Sequence, residues 1–333
     1  MQHANAVAPV ATQPLINYNA LPGIPCPICA SEKYEIVTLR FDGGRIVQCL
    51  QCGHKYLNPT LTDDILKAIY TDYHEAESDE SVIAMVSNWF AQPDSPYQYV
   101  LQKLELDGGL NGKRVVEVGC GPGKFLNECR LRGAIVAGVD ISPGAVRMAK
   151  NFFGLELIPK TVEQAIIDED LKADDSNFVF AFEIIEHVHK PKEFIQSLFQ
   201  LLAPGGYLFI STPNFHLYKL MGQAAEVVTQ WPEHLHFFEP DTFEQCLALS
   251  GFTDIQIIST GQKSAGERQK QVLARKPLIN ALWRRIRRVR AIYALKNLLF
   301  KAMDQREELA GETCWNGMSL LGCARKPLEK IVK

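Results

Sequence analysis

Residues 115–125 read VVEVGCGPGKF: an apolar stretch that contains Glu117 is followed by Gly119, Gly121 and Gly123. The apolar stretch predicts a buried strand, and the residues after the last glycine predict the start of a helix. Glycines at a strand-to-helix turn let the backbone turn sharply and approach a ligand closely. We therefore expect a βα unit whose loop binds a ligand.

The next apolar stretch along the chain, IVAGVD, ends in Asp140. An acid in this place lies at the distance from the glycine loop at which it can accept the two hydroxyls of a ribose. A nicotinamide dinucleotide site is one alternative, but it prefers the order GxGxxG, from which Pro122 and Gly123 depart. A purely structural glycine turn is the other alternative.

Short apolar stretches alternate with amphipathic stretches through the middle of the chain. The predicted strands are Arg114–Val118, Ile135–Val139, Leu155–Ile158, Phe178–Phe182, Tyr207–Ile210 and Ile255–Ile258. The predicted helices are Lys124–Arg132, Pro143–Phe152, Pro191–Leu202 and Asp241–Leu249. Strands that are apolar on both faces and alternate with helices form a parallel sheet covered by helices.

The order acid–x–G–x–G–x–G from Glu117 to Gly123, together with Asp140, resembles the class I S-adenosylmethionine-dependent methyltransferases. The resemblance covers residues 113–258 and includes FEIIEHVHKP (182–191) and LLAPGGYLFISTPN (201–214). It implies an α/β fold with a doubly wound, mostly parallel, seven-stranded Rossmann-like sheet, and S-adenosylmethionine as the cofactor. The residues that the resemblance implies at the cofactor are Glu117, Gly119, Cys120, Gly121, Gly123, Asp140, Ile141, Val162 and Glu183.

Two CxxC pairs stand near the N-terminus, Cys26 with Cys29 and Cys49 with Cys52. Residues 30–48 separate the pairs, which is the spacing of a four-cysteine zinc ribbon, and YEIVTLRF and RIVQC between them predict a hairpin. Four thiolates leave no open position, so the sequence predicts structural Zn²⁺ with His54 outside the ligand set. Reduced cysteines that bind no metal, or a redox pair, are the alternatives.

Transfer of a methyl group to a hydroxyl or a carbon acid requires removal of a proton. Two segments that carry histidines follow predicted strands, and the carboxyl ends of strands are where open α/β sheets place their sites. These segments are residues 186–189 (EHVH) and residues 231–238 (WPEHLHFF). The candidate acid and base residues are His234, Glu233 and His187, while His189 and His236 rank lower because a lone histidine is usually structural.

The cysteine module, the core and the Glu233-His234 pair together resemble two groups of enzymes. One group is the zinc-containing deoxysugar C-methyltransferases, in which such a Glu-His pair serves acid and base chemistry on a keto-sugar. The other is the zinc-ribbon methyltransferases of polysaccharide and small-molecule biosynthesis. The resemblance implies a small-molecule acceptor, either a sugar, a nucleotide sugar or a glycan intermediate, that is methylated on oxygen or carbon.

The chain has 333 residues, a net charge of -3 and 47% hydrophobic residues, which is an ordinary globular composition. No apolar stretch approaches the roughly 20 residues that span a bilayer. The N-terminus lacks the basic start and long apolar middle of a secretory signal. Nine cysteines without a disulfide pattern fit a reducing compartment, so the sequence predicts a cytoplasmic protein.

Composition and pattern divide the chain into six segments. They are an arm that is disordered or loosely attached (1–22), the zinc ribbon (23–60), a helical linker or lid (61–110), the cofactor-binding core (111–262), a basic helical insertion (263–312), and a final strand with a tail (313–333). The final strand is predicted at Met318–Arg325.

Basic residues crowd the insertion and alternate with apolar residues at helical spacing, which predicts a basic amphipathic helix. Such a helix packs on the core or on a second subunit in a homodimer, contacts a membrane surface through residues 275–301, or contacts nucleic acid. The negative net charge, and the lack of basic residues with stackable aromatics around the cysteine module, argue against a nucleic-acid partner. An RNA methyltransferase and a non-catalytic binding protein are the alternative functions.

Overall fold

The structure, a computed structural model, describes residues 16–40, 42–66, 68–69, 78–217, 232–261 and 317–328. The predicted arm before residue 16 and the predicted basic insertion at 263–312 lie outside the described residues, as do residues 275–301, the predicted membrane contact. Among the described residues, no helix combines the length and the apolar character that crossing a membrane would need.

The structure gives the bounds of ten strands and seven α-helices. The strands are β1 (Tyr34–Leu39), β2 (Arg45–Cys49), β3 (Lys55–Leu57), β4 (Arg114–Val118), β5 (Ile135–Val139), β6 (Ser176–Phe182), β7 (Leu202–Pro213), β8 (His236–Phe237), β9 (Thr253–Thr260) and β10 (Ser319–Arg325). The helices are α1 (Asp79–Phe90), α2 (Pro96–Leu106), α3 (Lys124–Leu131), α4 (Pro143–Met148), α5 (Val162–Ile167), α6 (Pro191–Leu201) and α7 (Pro240–Leu249).

The larger sheet has the order β5-β4-β6-β7-β10-β9. The four strands from β5 to β7 are parallel, and β10 runs antiparallel to both of its neighbours. Helices with one apolar face cover the sheet, and the predicted doubly wound α/β class is confirmed. Because β5 and β6 lie on opposite sides of β4, the winding reverses there, and a crevice opens at the carboxyl ends of these three strands.

The predicted strand Leu155–Ile158 is wrong as an element. Only Ile158 forms a bridge, a parallel one with Val139, supported by two hydrogen bonds: the Ile158 amide donates to the Gly138 carbonyl and the Asp140 amide to the Ile158 carbonyl. The described part of the sheet therefore has six strands instead of the expected seven. The segment lies beside β5 at the edge of the sheet, and the structure shows a single bridge there.

The smaller sheet contains the cysteine module and is antiparallel, in the order β1-β2-β3-β8. The hairpin of β1 and β2 agrees with the predicted one. Strand β8 was not predicted, and it comes from the histidine-rich segment 231–238. Since β3 pairs with β8, the cysteine module and that segment belong to one sheet.

One predicted helix and part of the predicted arm differ from the expectation. The predicted helix Pro143–Phe152 is α-helical only to Met148, and a π-helical turn at Ala149–Phe153 ends it at Gly154, where φ is +65°. Residues 16–21, which the sequence assigned to the arm, pack on the small sheet, and the Tyr18 hydroxyl donates to Asp42 Oδ2 at 2.7 Å. The polar sequence around Tyr18 did not indicate this contact, because its partner Asp42 lies in the hairpin turn further along the chain.

Helices α1 and α2 precede the core and close it on one side. Val100, Leu101 and Leu104 of α2 are buried in the same cluster as Phe125 at the start of α3. Burial of each such side chain stabilises the fold by about 1.5–3 kcal/mol. The predicted linker is therefore packed onto the cofactor half of the sheet.

Candidate functional site

The glycine loop joins β4 to α3 at the crevice. Gly119, Gly121 and Gly123 have φ values of +65°, +52° and +77°, a region that residues with side chains rarely adopt. A Cβ atom on Gly119 would lie 2.3 Å from Ile184 Cδ1, whereas one on Gly121 would meet no atom within 4 Å. The loop is thus packed on one side and open at Gly121, where its backbone is accessible to a ligand.

Asp140, at the end of β5, holds this loop from the side. Its Oδ2 accepts from the Gly121 amide at 2.7 Å, and its Oδ1 accepts from the Ser142 amide at 2.8 Å. Glu117 lies nearby and is 3% exposed. Burial raises the pKa of Glu117 well above its usual range, and the Asp140 charge acts in the same direction.

A buried polar atom usually has a hydrogen-bond partner. Oε2 of Glu117 has none among the described residues. An orphaned carboxylate oxygen beside an open glycine backbone fits a ligand that brings a donor or a positive charge, such as the ammonium group of an amino acid. The residues present therefore fit the predicted cofactor.

Other predicted cofactor residues occupy different surroundings. The Cys120 thiol is buried, and its backbone amide donates to the Val139 carbonyl at 3.3 Å. Ile141 is 62% exposed, so its side chain is accessible to a ligand. Val162 is 2% exposed and packs in the core. Glu183 lies after β6 and accepts from the Ser211 hydroxyl at 2.7 Å through Oε1.

The two predicted histidine segments lie against each other. The carbonyl of Glu186 accepts from the amides of Leu235 and His236 at 2.8 and 3.1 Å. The rings of His187 and His234 then meet edge to face, with centroids 4.8 Å apart. The two segments therefore form one cluster, because long-range backbone pairing, which sequence spacing does not reveal, brings them together.

Burial determines the protonation of this cluster. Glu186 is 1% exposed; burial, and then the charge of Glu183, raise its pKa well above the usual range. Burial also raises the pKa of Glu233, against the opposing charge of Arg40. Burial lowers the pKa of His187 to about 4, so its imidazole is neutral at pH 7. A neutral imidazole can accept a proton, but the lowered pKa makes His187 itself a weak base.

The same cluster has the donor set of a divalent cation site. One ligand atom from each of Glu186, His187 and His234 lies within 4.8 Å of the others. Two imidazoles and one carboxylate suit several transition metals. The sequence reasoning did not single out Glu186, although its position one residue before His187 was a signal.

Histidines 54, 189 and 236 stand outside the cluster. His236 Nε2 lies 2.8 Å from the Val188 carbonyl and must donate to it, so its Nδ1 accepts from His54 Nε2 at 3.1 Å. Burial lowers the pKa of His236 to about 3, so its imidazole is uncharged at pH 7. His189 pairs with Asp63 at 2.9 Å. His54 and His236 are buried and bonded to each other, so they support the structure around the cluster.

Tyr97 of α2 was missed by the sequence reasoning. Its ring packs on Phe182 and Phe125, with centroids 4.8 and 5.8 Å away. Burial, and then the charges of Glu183 and Glu117, raise the pKa of its hydroxyl, which stays protonated. The predicted lid thus supplies an aromatic ring and a neutral donor to the crevice, and the aromatic residues near the start of α2 were the only signal.

The four thiols of Cys26, Cys29, Cys49 and Cys52 converge. The Sγ atoms of Cys26 and Cys52 are 3.5 Å apart, as are those of Cys29 and Cys49, and all four lie within 4.8 Å of one another. Four sulfurs at about 2.3 Å from a tetrahedral zinc would be roughly 3.8 Å apart. The set therefore fits the predicted structural zinc, with His54 outside it.

Comparison with known proteins identifies the core. A family model described as "Methyltransferase domain" matches residues 90–257. The match begins at the end of α1 and includes the glycine loop, Asp140 and the histidine cluster, while the cysteine module precedes it.

Two relatives and one solved structure illustrate the similarity. The chain is 29% identical to a ubiquinone biosynthesis O-methyltransferase of Alkalilimnicola ehrlichii, over 49% of this chain and 70% of the relative. It is 32% identical to the protein of the same name from Nitrosomonas europaea, over 46% and 69%. A SAM-dependent methyltransferase from Archaeoglobus fulgidus is 17% identical, with a TM-score of 0.45 over 70% of this chain and 95% of that structure.

Proposed function

The chain belongs to the methyltransferase-domain family and is an S-adenosylmethionine-dependent methyltransferase, and from this premise we propose that it methylates a hydroxyl oxygen of a small-molecule acceptor. The observation that carries the proposal is the contact between His187 and His234, which places two imidazoles and the carboxyl groups of Glu186 and Glu233 in one buried cluster. A hydroxyl must lose its proton when its oxygen is methylated, and this cluster can take it.

The glycine loop, Asp140 and Glu117 would hold the cofactor. S-adenosylmethionine supplies an electrophilic methyl group when it is bound. Asp140 keeps the loop in its open form through the Gly121 amide and would accept the ribose hydroxyls. Glu117 would accept the ammonium group, since its Oε2 has no partner among the residues that the structure describes. These residues bind and orient the cofactor, and none of them is needed as a base.

His234 is the proposed base, with His187 as its nearest partner. His234 is 5% exposed, and its ring is held against His187, so little reorganisation accompanies proton transfer. Glu233, whose Oε2 has no partner among the described residues, is available to bind the acceptor or to stabilise the charged imidazole. Exclusion of water by this burial strengthens both interactions.

The acceptor is proposed to be a hydroxylated small molecule. The resemblance to sugar-modifying enzymes favours a sugar, a nucleotide sugar or a glycan intermediate. The names of the relatives favour an oxygen acceptor over a carbon acceptor, but refer to ubiquinone biosynthesis. A hydroxyl on an aromatic ring, with a pKa of about 10, gives up its proton more readily than a sugar hydroxyl. The rings of Tyr97 and Phe182 near the crevice suit such an acceptor.

A panel experiment tests the proposal. The full chain is incubated with S-adenosylmethionine that carries a ¹³C methyl group and, separately, with dihydroxylated aromatic compounds, nucleotide sugars, lipid-linked glycans or bulk RNA. The proposal expects a methoxy carbon signal in the product of one small-molecule class, lost in His234→Ala. A methyl group on carbon, or label in RNA alone, would overturn it. Each reaction is run with and without added Mg²⁺ or Mn²⁺, which reports on the cation site.

A further inference from the structure

A buried arginine connects the cysteine module to the acid and histidine of the site. Arg40 follows β1 and is 2% exposed, and its amide donates to the Gly44 carbonyl at 2.7 Å in the hairpin turn. Nη1 of its side chain donates to the carbonyls of Pro232 and His234 at 2.8 and 3.0 Å. The two carbonyls flank Glu233, so a single nitrogen holds the backbone on both sides of that residue.

The remaining donors of Arg40 are also used. Nε donates to Asp42 Oδ1 at 2.8 Å, and Nη2 donates to Asp42 Oδ2 at 2.7 Å and to the Tyr18 hydroxyl. The five N–H groups of a guanidinium thus each have an acceptor. Burial opposes ionisation of Asp42, but the hydrogen bonds and charge of Arg40 lower its pKa, so the buried pair is neutral overall. A lysine, a point charge with three donors, cannot reproduce this fork.

The loop that carries Glu233 and His234 is fixed from two sides. On one side, the Glu186 carbonyl receives the amide of Leu235. On the other side, Arg40 Nη1 donates to the carbonyls of Pro232 and His234. We propose that Arg40 is a positioning residue for methyl transfer, through which the hairpin of the cysteine module fixes Glu233 and His234 against Glu186 and His187.

This proposal rests on the proposed function, in which His234 takes the proton. It gives the cysteine module a second role besides folding: its hairpin sets the geometry of the base. Misplacement of a reacting group by about 1 Å can lower a rate by about 100-fold. We expect the effect in turnover and not in cofactor affinity, since the Arg40 side chain hydrogen-bonds to the hairpin turn and to the loop of the base, which contain no predicted cofactor residue.

The test compares Arg40→Lys with Arg45→Lys in the full chain. Arg45 begins β2 of the same hairpin and is exposed, so it controls for a changed charge group in the module. In Arg40→Lys we expect kcat to fall by about 10- to 100-fold, while zinc content and the Kd for S-adenosylhomocysteine stay within about twofold of wild type. Arg45→Lys should match wild type in all of these measurements. Equal kcat in Arg40→Lys and wild type would overturn the proposal.

A second readout needs no acceptor. Histidine ring signals in ¹⁵N-labelled protein report the surroundings of each imidazole, and we expect those of His234 to shift in Arg40→Lys while those of His189 do not. Unshifted His234 signals would overturn the proposal even if no acceptor is found. A wild-type protein that methylates none of the tested acceptors would contradict only the proposed function. If Arg40→Lys does not fold, the substitution Tyr18→Phe replaces it, because it removes one acceptor of the Arg40 guanidinium. We expect the same shift of the His234 signals in Tyr18→Phe, and unshifted signals would contradict the positioning role of Arg40.

Discussion

The rings of His187 and His234 pack edge to face with centroids 4.8 Å apart, although one follows β6 and the other precedes β8. Their backbones are joined through the Glu186 carbonyl, so the contact is fixed by main-chain pairing and does not depend on the rotamers alone. Two histidines in such contact act as a unit, and substitutions at either one should not be independent.

Substitution of either histidine should lower turnover. We expect His234→Ala to reduce kcat by about 10²–10⁴-fold and to leave the Kd for S-adenosylhomocysteine unchanged, because the ring removes a proton and contributes nothing to cofactor binding. His187→Ala should also reduce kcat, and the double variant should lose less than the product of the two single losses.

Single-turnover rates for the three variants, with His189→Ala as the matched control, check this expectation. His189 lies two residues from His187 but pairs with Asp63 at the surface. Near-wild-type kcat in His234→Ala together with a large loss in His187→Ala would assign the base to His187 instead.

Removal of the Asp140 carboxylate should weaken cofactor binding. Asp140→Ala loses the acceptor for the Gly121 and Ser142 amides, and charge-assisted hydrogen bonds of this kind contribute about 1.5–3 kcal/mol each. We expect the Kd for S-adenosylhomocysteine, measured by calorimetry, to rise by at least about tenfold. Asp175→Ala is the control, since Asp175 forms a surface pair with Arg114. Unchanged affinity in folded Asp140→Ala would refute the assignment.

The cysteine module should hold one zinc ion. Protein purified without chelators should contain about one zinc per chain by elemental analysis, because four converging thiols match a closed tetrahedral site. Cys49→Ser should lose the metal and unfold at a lower temperature, since β2 carries Cys49 into the sheet that contains β8. Cys246→Ser, in the core of α7, should keep it. Folded wild type without zinc would contradict the ribbon.

The central strands of the large sheet were predictable because they are short apolar stretches in which most residues are buried. Ser176–Phe182 and Ser319–Arg325 are recognisable without knowledge of their neighbours. Leu155–Ile158 has the same composition but lies at an edge with a single bridge, and composition does not specify how many partners a segment will have. The sequence therefore predicted the sheet better at its centre than at its margin.

The glycine loop and the cysteine pairs were predictable because each is local in sequence. The histidine cluster was only half predictable, since its two segments are brought together by contacts over long separations. Arg40 is 192 residues before Pro232, whose carbonyl it binds, and no pattern around either residue indicates the other. Strand β8 has two residues, too few for a periodic signal.

Acidification should destabilise the protein through its buried histidines. The folded pKa of His236 is about 3, below the unfolded value of 6.5, so the unfolded chain binds a proton first as the pH falls. The stability that neutral His236 provides is complete above pH 6.5 and declines as the pH falls from 6.5 towards 3. Between pH 7.5 and pH 5 this amounts to up to about 2 kcal/mol.

Denaturant unfolding of wild type and His236→Gln at pH 7.5 and pH 5 isolates this contribution. We expect the difference in unfolding free energy between the two proteins to shrink by about 2 kcal/mol at the lower pH, since the glutamine cannot be protonated. A difference that stays constant with pH would mean that His236 titrates normally in the folded protein.

Addition of a methyl group should cause different defects at Gly119 and at Gly121 of the glycine loop. In Gly119→Ala the new Cβ would lie 2.3 Å from Ile184 Cδ1, and the left-handed backbone adds about 1–2 kcal/mol, so the free energy of unfolding should drop. Gly121→Ala has the backbone cost alone, because no atom lies within 4 Å of its Cβ. Its Cβ would instead project into the open side of the loop and weaken S-adenosylhomocysteine binding.

A double-mutant cycle separates collision from backbone strain. Ile184→Val removes the Cδ1 atom that Gly119→Ala would strike, so the double variant Gly119→Ala/Ile184→Val should recover part of the lost stability, with a coupling of about 0.5–3 kcal/mol. The same Ile184→Val exchange should not improve Gly121→Ala, whose defect lies in binding. If the two glycine variants lost stability and affinity to the same extent, the packed side and the open side of the loop would not differ, and the loop would present no accessible backbone to the cofactor at Gly121.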